Sequence, residues 1–336
     1  MTQHAAPSPS APPPPASPAS ELRPGLWRRC LWGGIALWVL TLVVTYATEN
    51  TTLLPTLILL GSFLVPVVFV LWAYEREHAS FGINLILGAF LVGGILGVLG
   101  ASVMEYYLLH PSVWIFVGVG LIEEAVKLAA LVFVVRRRPR IRGLRAGLVL
   151  GATVGFGFAA FESAGYAFNA AVTMKGIDLR SLVETEILRG VLAPFGHGLW
   201  TAIAGGVLMA HRRPDGRFRF AGPVVAAYLG VALLHALWDS MHGIAVYLVA
   251  LLTTSDLQRQ LFAQGYIPEP TGQQEHLFTL FSVGGLILIT LIALAWLRSL
   301  ARSTRPGGTG AGRGGRGPGS GDPGGAGAEG VGIHTP

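Results

Sequence analysis

Seven ionisable residues stand inside otherwise apolar stretches of the chain: Glu123, Glu124, Lys127, Glu162, His197, His235 and Asp239. An ionisable group within a membrane span costs at least ~2.5 kcal/mol on insertion scales, so such groups are functional candidates where they face the interior of a bundle. Glutamate and histidine together supply what hydrolysis of a peptide bond requires, namely a base for water, stabilisation of the oxyanion and an acid for the leaving amine. The same set can instead hold zinc. His197, His235 and either Glu162 or Asp239 make three ligands and leave a fourth position for a water that Glu123 deprotonates. Both schemes stand at this point, and since no HExxH helix is present, a metal site has to be assembled from different spans.

Spacing adds detail. Glu123, Glu124 and Lys127 fall within about one turn of helix, where Lys127 pairs with Glu124. His235 and Asp239 are four residues apart and share one helical face, so Asp239 either orients His235 or joins it at a ligand. His242 continues that face toward the outer interface, where an exposed histidine is ordinary. Pro194, Gly196 and Gly198 surround His197, and the proline removes one backbone hydrogen bond and loosens the local helix, either as a packing kink or beside a cavity.

The elements that carry these residues follow from composition. Of 336 residues 52% are hydrophobic and 12% charged, and the mean hydropathy is +0.57. That is too apolar for a soluble domain of this length, which leaves an all-α integral membrane protein. A crossing needs about 20 apolar residues, and runs near 30–47, 53–73, 83–108, 112–135, 144–170, 187–210, 221–250 and 277–299 predict a polytopic bundle of about eight transmembrane helices. Arg28 and Arg29, the cluster Arg136–Arg145 and the group Arg212–Arg219 mark alternate loops, while the others hold chiefly Lys175, Arg180 and Arg259. Both termini are therefore expected to be cytoplasmic. The net charge of +6 sits in those loops and reads as topology, not as a nucleic-acid surface. Residues 1–26, rich in Pro, Ala and Ser, and the Gly-rich 303–336 are expected to be disordered tails flanking a bundle at 27–302, with a core at about 112–250. Cys30 is the lone cysteine, so no intrachain disulfide forms.

Counted from each span's cytoplasmic edge, Glu123, His197 and His235 lie about 18–21 Å deep, and Glu162 and Asp239 about 25 Å. Four helices thus place polar groups in one layer. Gly147, Gly151 and Gly155 form a small-residue face on the fifth span, and Phe158 and Glu162 continue it, so Glu162 faces protein.

Rival signatures are weak. Gly319-Ser320-Gly321-Asp322 matches an aspartyl-protease GxGD but lies in the Gly-rich tail, and no span carries GxSxG. A proton- or cation-coupled transporter also uses intramembrane carboxylates and histidines, yet no internal repeat is evident. An inactive scaffold would have little use for an intact polar layer. The loop at 253–276 reads as a plain connection.

Glu-Glu-x-x-Lys at 123–127, Phe-x-x-x-Glu at 158–162, His197 within its span and His-x-x-x-Asp at 235–239 together resemble the PrsW-like intramembrane proteases of the CAAX-protease and bacteriocin-processing superfamily. The resemblance covers about residues 115–245. It implies site proteolysis of a membrane-anchored protein substrate, such as an anti-sigma factor, with Glu123 as the water-activating base and Glu124 and Lys127 as its helix partners. Glu162 and Asp239 stand where the CAAX branch has histidine and often asparagine. The superfamily includes members described as metalloproteases and as glutamic proteases, so zinc remains open. Only two of 24 basic residues are lysine, which points to a GC-rich bacterial genome and a multi-pass protein of the plasma membrane.

Overall fold

Long apolar sequence with few charges leaves the backbone one way to satisfy its own hydrogen bonds in a bilayer, which is the helix. The computed structural model describes residues 25–77, 80–174 and 176–303, and is helical almost throughout. Residues 1–24 and 304–336, which hold nearly all of both tails and the Gly319–Asp322 match, lie outside the described residues, as does Lys175.

Helix α1 (Leu26–Thr48) is apolar and largely exposed, as a lipid-facing helix should be. Its first turn is tied to α2 (Leu54–Glu77), where Glu75 accepts hydrogen bonds from the backbone N–H groups of Gly25 and Trp27, each at 3.1 Å. The next run is a single rod in three parts: α3 (Ile83–Leu91), a π-turn at Val92–Leu96 and α4 (Gly97–Leu108). Helices α5 (Ile115–Val135) and α6 (Leu144–Ala171) follow, then a two-stranded antiparallel hairpin, β1 (Val172–Thr173) with β2 (Gly176–Ile177).

The sixth expected run is not one helix. It starts at Leu179 rather than near 187, runs as α7 (Leu179–Leu192), breaks through a 3-10 turn at Ala193–Phe195, and resumes as α8 (His197–Ala210). Pro194 and Gly196 explain the break, since one lacks a backbone donor and the other carries no side chain to hold the helix. Helix α9 (Gly222–Thr253) is followed by the short α10 (Asp256–Ala263) and by α11 (Gly272–Ser303). The 253–276 connection is thus more than a plain loop, because Ser255 and Gln258 close a capping box that starts α10.

Seven helical stretches among the described residues are long and apolar enough to cross a membrane. The eighth expected run is present as α5, a 21-residue helix about 31 Å long. It carries three charges near its middle, and these are buried and paired with one another.

The core lies around α6 and α8. Gly147, Gly151 and Gly155 of α6 press on the backbone of α8 at Gly205, Thr201 and His197, where any Cβ would collide with a carbonyl oxygen. Gly120 of α5 does the same against Ala232 of α9. At the arginine-rich end, Arg212 is buried and donates to the carbonyls of Val135, Arg138, Ile141 and Gly216 at 2.7–3.1 Å, knitting two loops together. Burial weakens the hold of its guanidinium on the proton.

Candidate active site

The glycine contacts decide where the polar side chains fall. Gly120 lies one turn before Glu123 and Glu124, so its approach to Ala232 brings Glu124 within 3.1 Å of Nδ1 of His235. Gly155 lies two turns before Glu162, and its approach to the His197 backbone sets Glu162 Oε2 3.0 Å from Nε2 of His197. Tyr228 adds a tether, donating to the Leu121 carbonyl at 2.8 Å.

Lys127 sits at the centre. Its Nζ lies 3.0 Å from Glu123 Oε2, 2.8 Å from Glu124 Oε1 and 2.7 Å from His197 Nδ1, and 4.2 Å from the ring centre of Phe158. It is fully buried, not reaching for the interface. A buried ammonium with two carboxylates is the arrangement that makes burial of charge tolerable.

The two histidine rings stand 5.0 Å apart in edge-to-face contact, and Trp200 packs against both, at 4.8 Å from His235 and 5.6 Å from His197. Each histidine has one nitrogen held by a carboxylate, His235 Nδ1 by Glu124 and His197 Nε2 by Glu162. The other nitrogens turn toward Glu123, whose Oε2 lies 3.7 Å from His235 Nε2 and 3.8 Å from His197 Nδ1. Asp239 Oδ2 is 3.3 Å from His235 Nε2. The six residues singled out from the sequence, with Lys127, therefore form one contiguous network.

They form it in two tiers. Glu123, Glu162, His197 and Asp239 line a cavity of about 790 Å³, whereas Glu124, Lys127 and His235 are buried beside it. The cavity is walled by α4, the first half of α5, the second half of α6, the α7–α8 break, α9 and the start of α11, at the end of the bundle opposite the arginine-rich loops. The break at 193–196 thus borders a cavity. His242 reaches this wall and packs on Phe278 of α11.

Several wall residues were not among those expected. Arg189 of α7 donates from Nη2 to Glu162 Oε2 and from Nε to Ser163 Oγ, and its guanidinium stacks 4.3 Å from the Tyr166 ring. Glu105 of α4 joins the wall with one carboxylate oxygen that has no hydrogen-bond partner among the described residues. The available signal was charge alone: Arg189 lies two residues inside the expected start of its span, where an arginine reads as an interfacial anchor.

One ligand atom each from Glu123, His197 and His235 lie within 4.8 Å of one another. Two imidazoles and a carboxylate suit a transition metal, and a carboxylate on the far nitrogen of each histidine is the support that metal-binding histidines receive. The set fits a metal on condition that Lys127 gives up His197 Nδ1. Of the two carboxylates expected as the third ligand, Glu162 stands one step back, on the far nitrogen Nε2 of His197, whereas Asp239 lies beside Nε2 of His235, the nitrogen turned toward Glu123.

The sequence pattern of the PrsW family intramembrane metalloprotease matches residues 82–262, more than half of the chain. No curated relative and no solved structure matches it.

Proposed function

The chain belongs to the PrsW family of intramembrane metalloproteases and is a multi-pass intramembrane peptidase, and from that premise we propose that it cleaves a membrane-anchored protein in the cavity opposite the arginine-rich loops, with Glu123 activating the water. The observation that carries this reading is the position of Glu123. Its Oε2 is turned to Lys127 and the two histidines, while Oε1 makes no hydrogen bond among the described residues and the side chain lies on the cavity wall.

In this reading Oε1 accepts the proton of an attacking water and later returns it to the leaving amine. Lys127 holds the opposite oxygen and fixes the carboxylate plane. Glu124 fixes the His235 ring through Nδ1–H, and Glu162 fixes His197 through Nε2–H. The apolar side chains of the wall, among them Phe158, Trp200 and Trp238, lower the local dielectric and strengthen the electrostatics at the site. His197 and His235, with Asp239 beside His235 Nε2, would hold zinc, and zinc would supply a bound water of lowered pKa for Glu123 to deprotonate and a Lewis acid for the carbonyl.

The substrate is a protein with a membrane anchor whose cleavage site unwinds into the cavity, and an anti-sigma factor is the kind of substrate that the family resemblance suggests. The setting is the plasma membrane of a bacterium, in keeping with the arginine-rich, lysine-poor coding of the chain.

The test is cleavage of a single-pass substrate in reconstituted vesicles by the wild type, Glu123→Gln and His235→Ala, with and without a metal chelator. Cleavage by the wild type alone, abolished by chelation and restored by zinc, is the expected result. Undiminished cleavage by both variants would overturn the site, and proton-coupled solute uptake without cleavage would make the protein a transporter.

A further inference from the structure

An unwound peptide in a bilayer brings carbonyl groups that have lost their helical partners, and each costs several kcal/mol unless the protein supplies a donor. Hydrolysis makes the need greater, because the carbonyl oxygen becomes an anion. Arg189 is the one arginine or lysine on the cavity wall among the described residues, since Lys127 lies buried beside it. Its side chain keeps a quarter of its surface exposed, and its fork is half used: Nε serves Ser163 and Nη2 serves Glu162, while Nη1 makes no hydrogen bond among the described residues. Stacking on Tyr166 and the bond to Ser163 hold the guanidinium plane in place. Its bonds to Glu162 and Ser163 leave Nη1 for a further acceptor on a side chain that lines the cavity.

We propose that Arg189 is a catalytic residue that binds the scissile carbonyl through Nη1 and stabilises the oxyanion, an inference that rests on the peptidase reading above. Water oxygen bonds to the carbonyl carbon as its proton passes to Glu123, and the carbonyl π pair moves onto the oxygen that Arg189 holds. The pair returns as the C–N bond breaks, and the proton on Glu123 leaves with the amine. Glu162 aims the guanidinium and at the same time holds His197, so one carboxylate sets the spacing between the oxyanion donor and the water-activating group.

The experiment compares the wild type, Arg189→Gln and Arg189→Lys in the vesicle assay, together with binding of a phosphinate peptide built on the mapped cleavage site, whose anionic oxygens mimic the oxyanion. Arg189→Gln is expected to lose kcat by about 10²–10³-fold, as removal of one oxyanion donor does, with KM within about threefold and with metal content and thermal stability retained. Arg189→Lys should recover part of kcat. Phosphinate affinity should fall by a similar factor in Arg189→Gln, and should fall again when Arg189→Gln is added to Glu162→Gln. A peptide with the neutral carbonyl should lose far less affinity than the phosphinate, because Nη1 holds an anionic oxygen more tightly than a neutral one. If Arg189→Gln changes phosphinate affinity only while Glu162 is intact, Arg189 merely positions Glu162 and the proposal fails. Full kcat in Arg189→Gln overturns it alone, and absence of cleavage by the wild type overturns the peptidase reading with it.

Discussion

Nζ of Lys127 lies 2.7 Å from Nδ1 of His197, and the opposite nitrogen of the same ring lies 3.0 Å from Glu162. The imidazole therefore bridges a buried ammonium on α5 and a carboxylate on α6, and Nε2 carries the hydrogen while Nδ1 accepts. Lys127 thus does two jobs. It shares its single positive charge between Glu123 and Glu124, and it fixes the His197 tautomer by donating to the Nδ1 lone pair.

Replacement of Lys127 by methionine should cost about 3–5 kcal/mol of stability, because it leaves two carboxylates buried without their partner. Adding Glu124→Gln should return much of that loss, since replacing both members of a buried pair is far less harmful than removing one. Neither protein should cleave. Thermal unfolding in detergent, read beside the vesicle assay, checks both halves. A stable Lys127→Met that still cleaves would show that the ammonium is dispensable.

Metal binding should be linked to protons. His235 Nδ1 is committed to Glu124, so a metal at Nε2 must displace whatever proton Nε2 shares with Asp239. Zinc affinity should therefore fall as pH falls. Glu124→Gln and Glu162→Gln, which remove the carboxylates behind the histidines, should each weaken it by about 10–100-fold, the usual cost of losing such support. Competition titration with a chromogenic chelator measures both effects, and unchanged affinity in the two variants would remove His197 and His235 as ligands.

The spans and their polar layer are legible in the sequence because a bilayer punishes charge so severely that Glu123, Glu162, His235 and Asp239 stand out against apolar neighbours. Arg189 is not legible in the same way. It is about 15 Å into α7, yet the Arg180, Glu184 and Glu186 that precede it blur the start of the run and make it read as an anchor. Glu186 illustrates the same difficulty, being buried and bonded to Trp38 of α1 at 2.7 Å, a contact between residues 148 positions apart that no local pattern announces. Arg212 is misleading in the other direction. It reads as one of a cluster of topology-setting arginines, while in the fold it is the buried tie between two loops.

The start of α7 should respond to acid. Asp178 caps the helix, accepting from the Ser181 N–H at 2.9 Å and from its hydroxyl at 2.7 Å, and these bonds hold its carboxyl below the usual aspartate range. With the folded value below the unfolded one, the stabilisation is complete above the unfolded value near ~3.9 and disappears as pH falls through the folded value. Asp178→Ala should therefore unfold at a lower temperature than the wild type at neutral pH, and the gap should close in strong acid. A gap independent of pH would mean that the cap works through shape and not through charge.

Small residues, not only the charged ones, should control the chemistry. A Cβ at Gly155 would run into the His197 carbonyl, and one at Gly120 into the Ala232 carbonyl one turn before His235. Backbone carbonyls in packed helices cannot swing aside as a flexible side chain can, so alanine at either position must push two helices apart. The expected stability cost is about 1–3 kcal/mol, the range for overpacking. The effect on cleavage should be larger than that suggests, because a shift of about 1 Å in reacting groups costs on the order of 10²-fold in rate. Gly155→Ala should loosen the Glu162–His197 bond and Gly120→Ala the Glu124–His235 bond, so both should lose kcat in folded protein. Gly165→Ala on the same α6 helix, where a Cβ meets nothing within 4 Å, is the control and should cleave as the wild type does. Equal rates in all three variants would show that the helix approach does not set the site, and that the polar network assembles itself despite the backbone.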